Sequence, residues 1–268
     1  MLEVKDKRFQ KGLNSLERQP LSFSMEVLSG VSRMGAHCGL SPDGGDLAAW
    51  EATVEAMQVS SALFVSAQGE TGTFEYRIGH QIRNLRYGAG PRAYAGHWVT
   101  AFYLAAVCRE PKRMWQLAQV PVDLLRRAEG AYDPYMYDWV EALQAYRLDE
   151  SDFGDKLVAA IENTDPARLR HAPRENVLKI NYPPMNLLAQ IAKRDENAFN
   201  AELAQALRLH KEYWTRDEDR SLDTEGWVAL GPLAMACLAK DAGFTVTVES
   251  EYLPSALLDG DWVNEFPT

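Results

Sequence analysis

GWVALGPLAMACLAKDAGFTVTVESEYLP, Gly226 to Pro254, joins the most apolar helix candidate of the chain to its clearest extended segment. Proline suits a first helical turn, because its φ is already helical and its missing N–H would have no partner there, so Gly231-Pro232 marks a helix start. Leu233, Ala234, Ala236, Cys237, Leu238 and Ala239 leave hardly any polar side, the pattern of a helix enclosed by others. Gly243 is placed to take the left-handed conformation that closes such a helix. Beyond it Phe244, Val246 and Val248 alternate with Thr245, Thr247 and Glu249, the two-residue period of a strand. The expected fold class is therefore all-α: an irregular multi-helix bundle of helical hairpins with one short extended strand near the C-terminus, in a single helical domain over residues 1–268.

The rest of the chain supplies the helices. Leu2 to about Ala36 reads as a helical hairpin broken at Gln19-Pro20, with Leu21, Met25 and Leu28 as the apolar face of its second segment. Asp46 is a candidate N-cap for a long helix with Trp50, Val54, Met57 and Phe64 in its core stripe. Phe74 to Tyr87 reads as a helix with Arg77, His80, Arg83 and Arg86 at three-residue spacing, a basic stripe that suits an acidic ligand but is more often a solvated face or paired with acids of the same chain, the acidic C-terminal region being an available partner. Tyr94, Trp98 and Phe102 mark a second buried helix, and Pro111, Pro121 and Pro134 each open another. Tyr135, Trp139, Leu143 and Tyr146 form a core stripe, and Pro183-Pro184 restarts a helix through Met185, Leu187 and Ile191. Asn197 to Trp214 is amphipathic, with His210 in phase with its apolar side and so read as a hydrogen-bonded core histidine. A 34-residue helical repeat fails: aligned on Trp139 it finds Tyr146 but not the required glycine or the later small and aromatic positions.

Composition narrows function. With 46% hydrophobic residues, 268 positions can bury a sizeable core. The polar opening residues and the lack of any long apolar run predict a soluble, cytoplasmic protein. A net charge of −10 opposes nonspecific binding to nucleic acid or to an anionic membrane and favours a basic partner. From Thr215 onward eleven acidic residues face three basic ones, which concentrates that charge near the C-terminus. Cys38, Cys108 and Cys237 lie far apart among small or apolar neighbours and read as reduced core thiols. Nucleophile-elbow, phosphate-loop, dinucleotide and H-E-x-x-H patterns are all absent, so neither catalytic residues nor a cofactor is expected. Asp217, Asp219, Ser221 and Asp223 have the alternate spacing of a calcium loop. Leu222 stands where that loop needs glycine and Val228 where it needs glutamate, so helix capping is the better reading and no metal is expected.

Several stretches resemble one family. Beside GWVALGPLAMACLAKDAGFTVTVESEYLP they are WEATVEAMQVSSALF from Trp50, EYRIGHQIR from Glu75, HWVTAFYLAAVCR from His97, KLVAAIENTDP from Lys156, LKINYPPMNLL from Leu178 and LHKEYWTRDEDRSLD from Leu209. Together they make the chain similar to the immunity protein 49 family of bacterial polymorphic toxin systems. The resemblance implies a mostly helical, non-catalytic protein that binds and neutralises a cognate toxin by direct contact. The alternative is a helical adaptor or regulator of an endogenous protein or peptide. Acidity suits a basic, nuclease-like toxin. The expected partner face is Glu249, Glu251, Tyr252, Asp259, Asp261 and Trp262, acidic residues around two aromatic anchors. The extended segment 244–249 has three possible fates: a strap across the helical body, pairing with its copy in a homodimer rather than a monomer, or strand addition to the toxin.

Overall fold

The structure, a computed structural model, describes residues 2–41, 43–265 and 268. Its centre is α4 (Ala95–Val107), on which only Gly96 and Thr100 escape full burial. A helix with no polar face must be walled in on every side. The walls of α4 are α3 (Leu47–Ala67), α5 (Pro111–Ala118), α7 (Pro134–Leu148) and α13 (Leu230–Asp241). Its polar atoms are met inside: Trp98 Nε1 donates to the Leu117 carbonyl at 3.0 Å, and Tyr103 Oη accepts from Trp139 Nε1 at 2.9 Å. α13 begins two residues before Pro232 and buries every residue from Pro232 to Ala239. It ends as its sequence predicts, with Gly243 at φ +91°. Cys38, Cys108 and Cys237 are free, buried thiols.

Around this centre α1 (Leu2–Leu16) and α2 (Phe23–Leu40) form the expected hairpin, and α2 packs along α3. α6 (Val122–Arg126) leads into α7, and α8 (Phe153–Glu162) packs on it. α9 (Arg174–Asn176) runs through a wide turn into α10 (Tyr182–Lys193), and α11 (Glu196–Trp214), α12 (Glu218–Leu222) and α14 (Ser255–Asp259) complete the chain. The loop before α9 is clamped by Asp133, 1% exposed, whose carboxylate accepts the N–H groups of Arg170, His171 and Ala172. Arg109 holds α14 in place by donating to the carbonyls of Leu257 and Leu258, which end that short helix without an internal partner, and to Cys237 Sγ on α13.

Three expectations need correction. The segment Phe74–Tyr87 is no helix: β1 (Thr73–Ile78) and β2 (Gln81–Arg86) form an antiparallel hairpin with Phe74 opposite Leu85 and Tyr76 opposite Arg83. Gly79 at φ +60° opens its two-residue turn, the pattern that matches the twist of paired strands. The three-residue basic spacing is compatible with a helix, but Phe74, Tyr76 and Ile78 also alternate, and the glycine decides between the two periods. Arg83 is buried and bonds Asn14 of α1 and Glu17 just beyond its end, while His80 meets Glu51 of α3; neither uses the acidic C-terminal region.

The second correction concerns the strand near the C-terminus. Residues 244–250 are extended but belong to no sheet. They form a strap over α11, with Phe244 buried edge-on against Phe199 and with Val246 and Val248 half-buried. Backbone groups of an extended chain must find partners. Here α11 side chains stand in for a neighbouring strand: Asn200 Oδ1 accepts from Thr247 N at 2.8 Å, Asn200 Nδ2 donates to Thr245 O at 2.9 Å, and Glu196 Oε2 accepts from Thr245 N at 3.0 Å. Third, Leu21, Met25 and Leu28 do not face the core but are 49%, 61% and 50% exposed; Phe23, Val27 and Val31 are the buried side of α2.

Two outcomes follow from this packing. Trp98→Ala should lower unfolding free energy by about 3 to 5 kcal/mol and Leu238→Ala by about 2 to 4 kcal/mol in denaturant titrations, the usual cost of truncating large core side chains. Asn200→Ala should leave the melting temperature nearly unchanged while hydrogen exchange at the Thr247 amide accelerates at least ~10-fold, because it frees a surface strap rather than opening the core.

Candidate functional site

A cleft of about 380 Å³ opens beside the central helix. Val31 of α2, Val99 and Tyr103 of α4, and Met136 of α7 are among its apolar residues. Its other wall is built by the wide turn between α9 and α10, the last turn of α11, and residues 225–232.

The wide turn has a sequence cause. Pro183 and Pro184 have no N–H to offer the carbonyls four residues earlier, those of Lys179 and Ile180, so the ordinary helical register cannot pass through. Residues Val177–Asn181 widen instead into a π-turn, a distortion common at functional sites, and the helix continues rather than restarting at the proline pair. Widening brings side chains five residues apart into contact: Asn181 Nδ2 donates to Asn176 Oδ1 at 2.8 Å. Asn181 Nδ2 also reaches Tyr135 Oη at 3.1 Å, and Asn176 Nδ2 reaches Tyr213 Oη at 3.3 Å, so a polar chain links four side chains beside the apolar wall.

Charges in the cleft are unevenly satisfied. Lys179 is held by Glu175 at 3.4 Å and Glu212 at 3.2 Å. Glu175 also takes Arg216 and Arg220, and Arg220 lies over the Tyr213 ring, its Cζ 4.1 Å from the centroid. Glu225 has no cationic partner among the described residues. Its carboxyl is open to solvent yet closely surrounded by protein, and that desolvation, with Asp223 beside it, raises its pKa. His210 Nε2 donates to the Gly226 carbonyl at 2.8 Å, and burial lowers its pKa to about 4, the hydrogen-bonded core histidine its helical phase predicts. Trp214 is half-buried, packed so closely on Gly226 that a Cβ there would stand 2.3 Å from the indole.

The sequence-predicted partner residues fall into two groups. Glu249, Glu251 and Tyr252 line a shallow hollow against α11, where Glu251 pairs with Lys211 at 3.3 Å. Tyr252 also packs edge-on against His210, 5.1 Å between ring centres, so this hollow adjoins the cleft across the end of α11. Asp259, Asp261 and Trp262 belong to α14 and the turn after it, where Asp259 pairs with Lys240 and Trp262 Nε1 donates to the Gly45 carbonyl at 3.2 Å. Asp223 caps a short helix through the N–H of Glu225, as the capping reading has it; Asp217 caps another through Arg220, and Asp46 precedes α3 without a side-chain cap bond. Sequence reasoning missed the cleft. Its available signals were the paired prolines within a helical pattern and a carboxylate, Glu225, directly before Gly226.

A second, smaller cleft of about 240 Å³ lies where the hairpin turn meets α2 and α3, but its charges are already satisfied. Arg33 donates to Asp6 and to Glu55, both at 2.5 Å, and His80 meets Glu51 at 3.0 Å. Among the described residues no three His, Cys, Asp or Glu side chains gather to hold a metal, and no helix is long and apolar enough to cross a membrane.

Fold and cleft together define a mostly helical protein with one small hairpin and a concave surface of mixed polarity. The model of the immunity protein 49 family matches residues 41–257, and the chain belongs to that family. No curated protein and no solved structure matches it.

The buried histidines set a pH window. Burial lowers both His97 and His210 from the ordinary 6.5 to about 4. Unfolded, they take up protons that the folded state refuses, so their contribution is complete above pH ~6.5 and lost as pH falls toward ~4, on the order of 2 kcal/mol each. Asp133 behaves differently: burial raises its carboxyl, three backbone N–H groups more than offset this, and its contribution is lost only below the usual carboxylate range. Melting temperature should therefore fall between pH 6.5 and 4 in scanning calorimetry, and the His97→Gln/His210→Gln variant should show a flatter profile there.

Proposed function

We propose that this protein binds and neutralises a cognate toxin by direct protein–protein contact, in the cytosol of the producing cell and without chemistry of its own. The observation that carries the reading is membership of the immunity protein 49 family over most of the chain. Acidic excess toward the C-terminus supports it, because an acidic surface can cover a basic active site such as a nuclease's and speed its capture.

The contact residues we assign to the toxin are two groups, Glu249, Glu251 and Tyr252 against α11, and Asp259, Asp261 and Trp262 in and after α14. Tyr252 and Trp262 are half-buried, each held by a neighbour and partly open, the condition of an aromatic anchor with little freedom left to lose. Glu249 and Asp261 have no ion-pair partner among the described residues. The pairs made by Glu251 and Asp259 are exposed and cost little to exchange for a partner's charge.

Reversal of Glu249, Glu251, Asp259 and Asp261 to lysine should slow association with the toxin encoded beside this gene by ~10-fold or more at low salt and flatten its salt dependence, with circular dichroism and melting temperature preserved. Unchanged association rates across a salt series would remove this face from the contact. The adaptor reading would gain if no toxin is encoded nearby and an endogenous protein is retained instead.

A further inference from the structure

The cleft beside α4 has the chemistry of a receptor for one long cation. Glu225 is the acidic residue of its lining, and it differs from Glu175 and Glu212, which hold the lining Lys179 from outside, in what it already binds. Glu175 and Glu212 share Lys179, and Glu175 also holds Arg216 and Arg220, so every one of those cations is taken. Glu225 is left with no cation among the described residues, beside the negative charge of Asp223. A carboxylate in crowded protein surroundings with a like charge next to it is stabilised by any cation that can reach it. The same cleft offers the half-buried Trp214 indole and the apolar Val31 and Val228, surfaces that fit the methylene stem of a basic side chain whose head remains polar.

A second feature leads into this cleft. Leu21, in the 3-10 turn that leads into α2, and Met25 and Leu28 on α2 recur at four- and three-residue spacing and are about half exposed or more. Leu28 stands one helical turn before Val31, which forms the α2 edge of the cleft. An apolar stripe ending at an unpaired carboxylate is the complement of a segment that places apolar side chains next to a basic one.

We propose that the cleft receives an arginine side chain of the toxin, with Glu225 as its counter-ion and Trp214 as the wall for its stem, while neighbouring apolar residues of the toxin cover Leu21, Met25 and Leu28. Arginine fits better than lysine because its flat guanidinium can stack on an indole and bond a carboxylate in two places. The proposal rests on the toxin-binding reading, and it adds a second contact area that the hollow of Glu251 and Tyr252 joins through His210.

The first test needs no toxin. N-acetyl-arginine amide is titrated into 15N-labelled protein and the Trp214 indole N–H is followed, assigned with a Trp214→Phe sample. Binding on the order of millimolar is expected for so small a probe. N-acetyl-citrulline amide, which has the same shape without charge, should bind at least ~10-fold more weakly, and Glu225→Gln should abolish the difference. Glu225 is exposed and makes no side-chain bond among the described residues, so that variant should fold normally. No shift at Trp214, or equal shifts from both probes, overturns the proposal. The second test measures affinity for the toxin encoded beside this gene. Glu225→Gln and Met25→Ser should each weaken it at least ~10-fold, and unchanged affinity for both overturns the cleft as a toxin contact. Wild-type protein that binds the arginine probe but ignores the toxin overturns the toxin-binding reading and leaves the cleft's preference for a cation standing.

Discussion

Most of the architecture depends on the near-complete burial of α4. Eleven of its thirteen residues are buried, so each direction from its axis must be filled by another element, and α3, α5, α7 and α13 fill them. Two tryptophans make this burial possible without orphaned donors, Trp98 bonding the Leu117 carbonyl and Trp139 bonding Tyr103. The half-exposed pair Gly96 and Thr100 is where the wall is incomplete. The cleft opens there, lined by both residues, so the candidate site is a consequence of how the central helix is covered.

Two extended segments meet the same physical requirement in different ways. The hairpin satisfies its backbone with a second strand and tucks one face onto the helices through Ile78, Arg83 and Leu85. The strap has no second strand and borrows the amide of Asn200 and the carboxylate of Glu196 instead. A side-chain amide carries N–H donors and a carbonyl acceptor in nearly the geometry of a peptide group, which is why one asparagine can serve two strap residues. This arrangement leaves Glu249 exposed at the end of the strap, sets Glu251 against Lys211 and turns Tyr252 toward His210.

The cleft combines a backbone irregularity with an unbalanced charge. Helix distortion at the paired prolines brings Asn176 and Asn181 together and links them to Tyr213 and Tyr135 in one bonded frame. Lys179, Arg216 and Arg220 are spent on Glu175 and Glu212, and Glu225, with Asp223 beside it, has no cation among the described residues. A rigid frame with one unmet charge suits recognition of another protein's side chain, since little freedom is lost on binding.

By itself the sequence determined the helical class, the enclosed helices around Trp98 and Leu238, the free thiols, the cap at Asp223 and the family, because apolar periodicity, prolines at helix starts and Gly243 are local signals that tertiary packing leaves in place. It left Phe74 to Tyr87 ambiguous, since a basic residue every third position fits a helix and alternating aromatics fit a strand; packing against α3 and the bond from Gly79 N to Gln58 chose the hairpin. Leu21, Met25 and Leu28 have the spacing of a buried face, but so do Phe23, Val27 and Val31, and only the position of α1 and α3 decided which side of α2 would be covered. The cleft was hidden for the same reason: Val31, Trp214 and Glu225 are far apart in the chain, and neither their meeting nor the lack of a cation beside Glu225 exists until the helices are stacked.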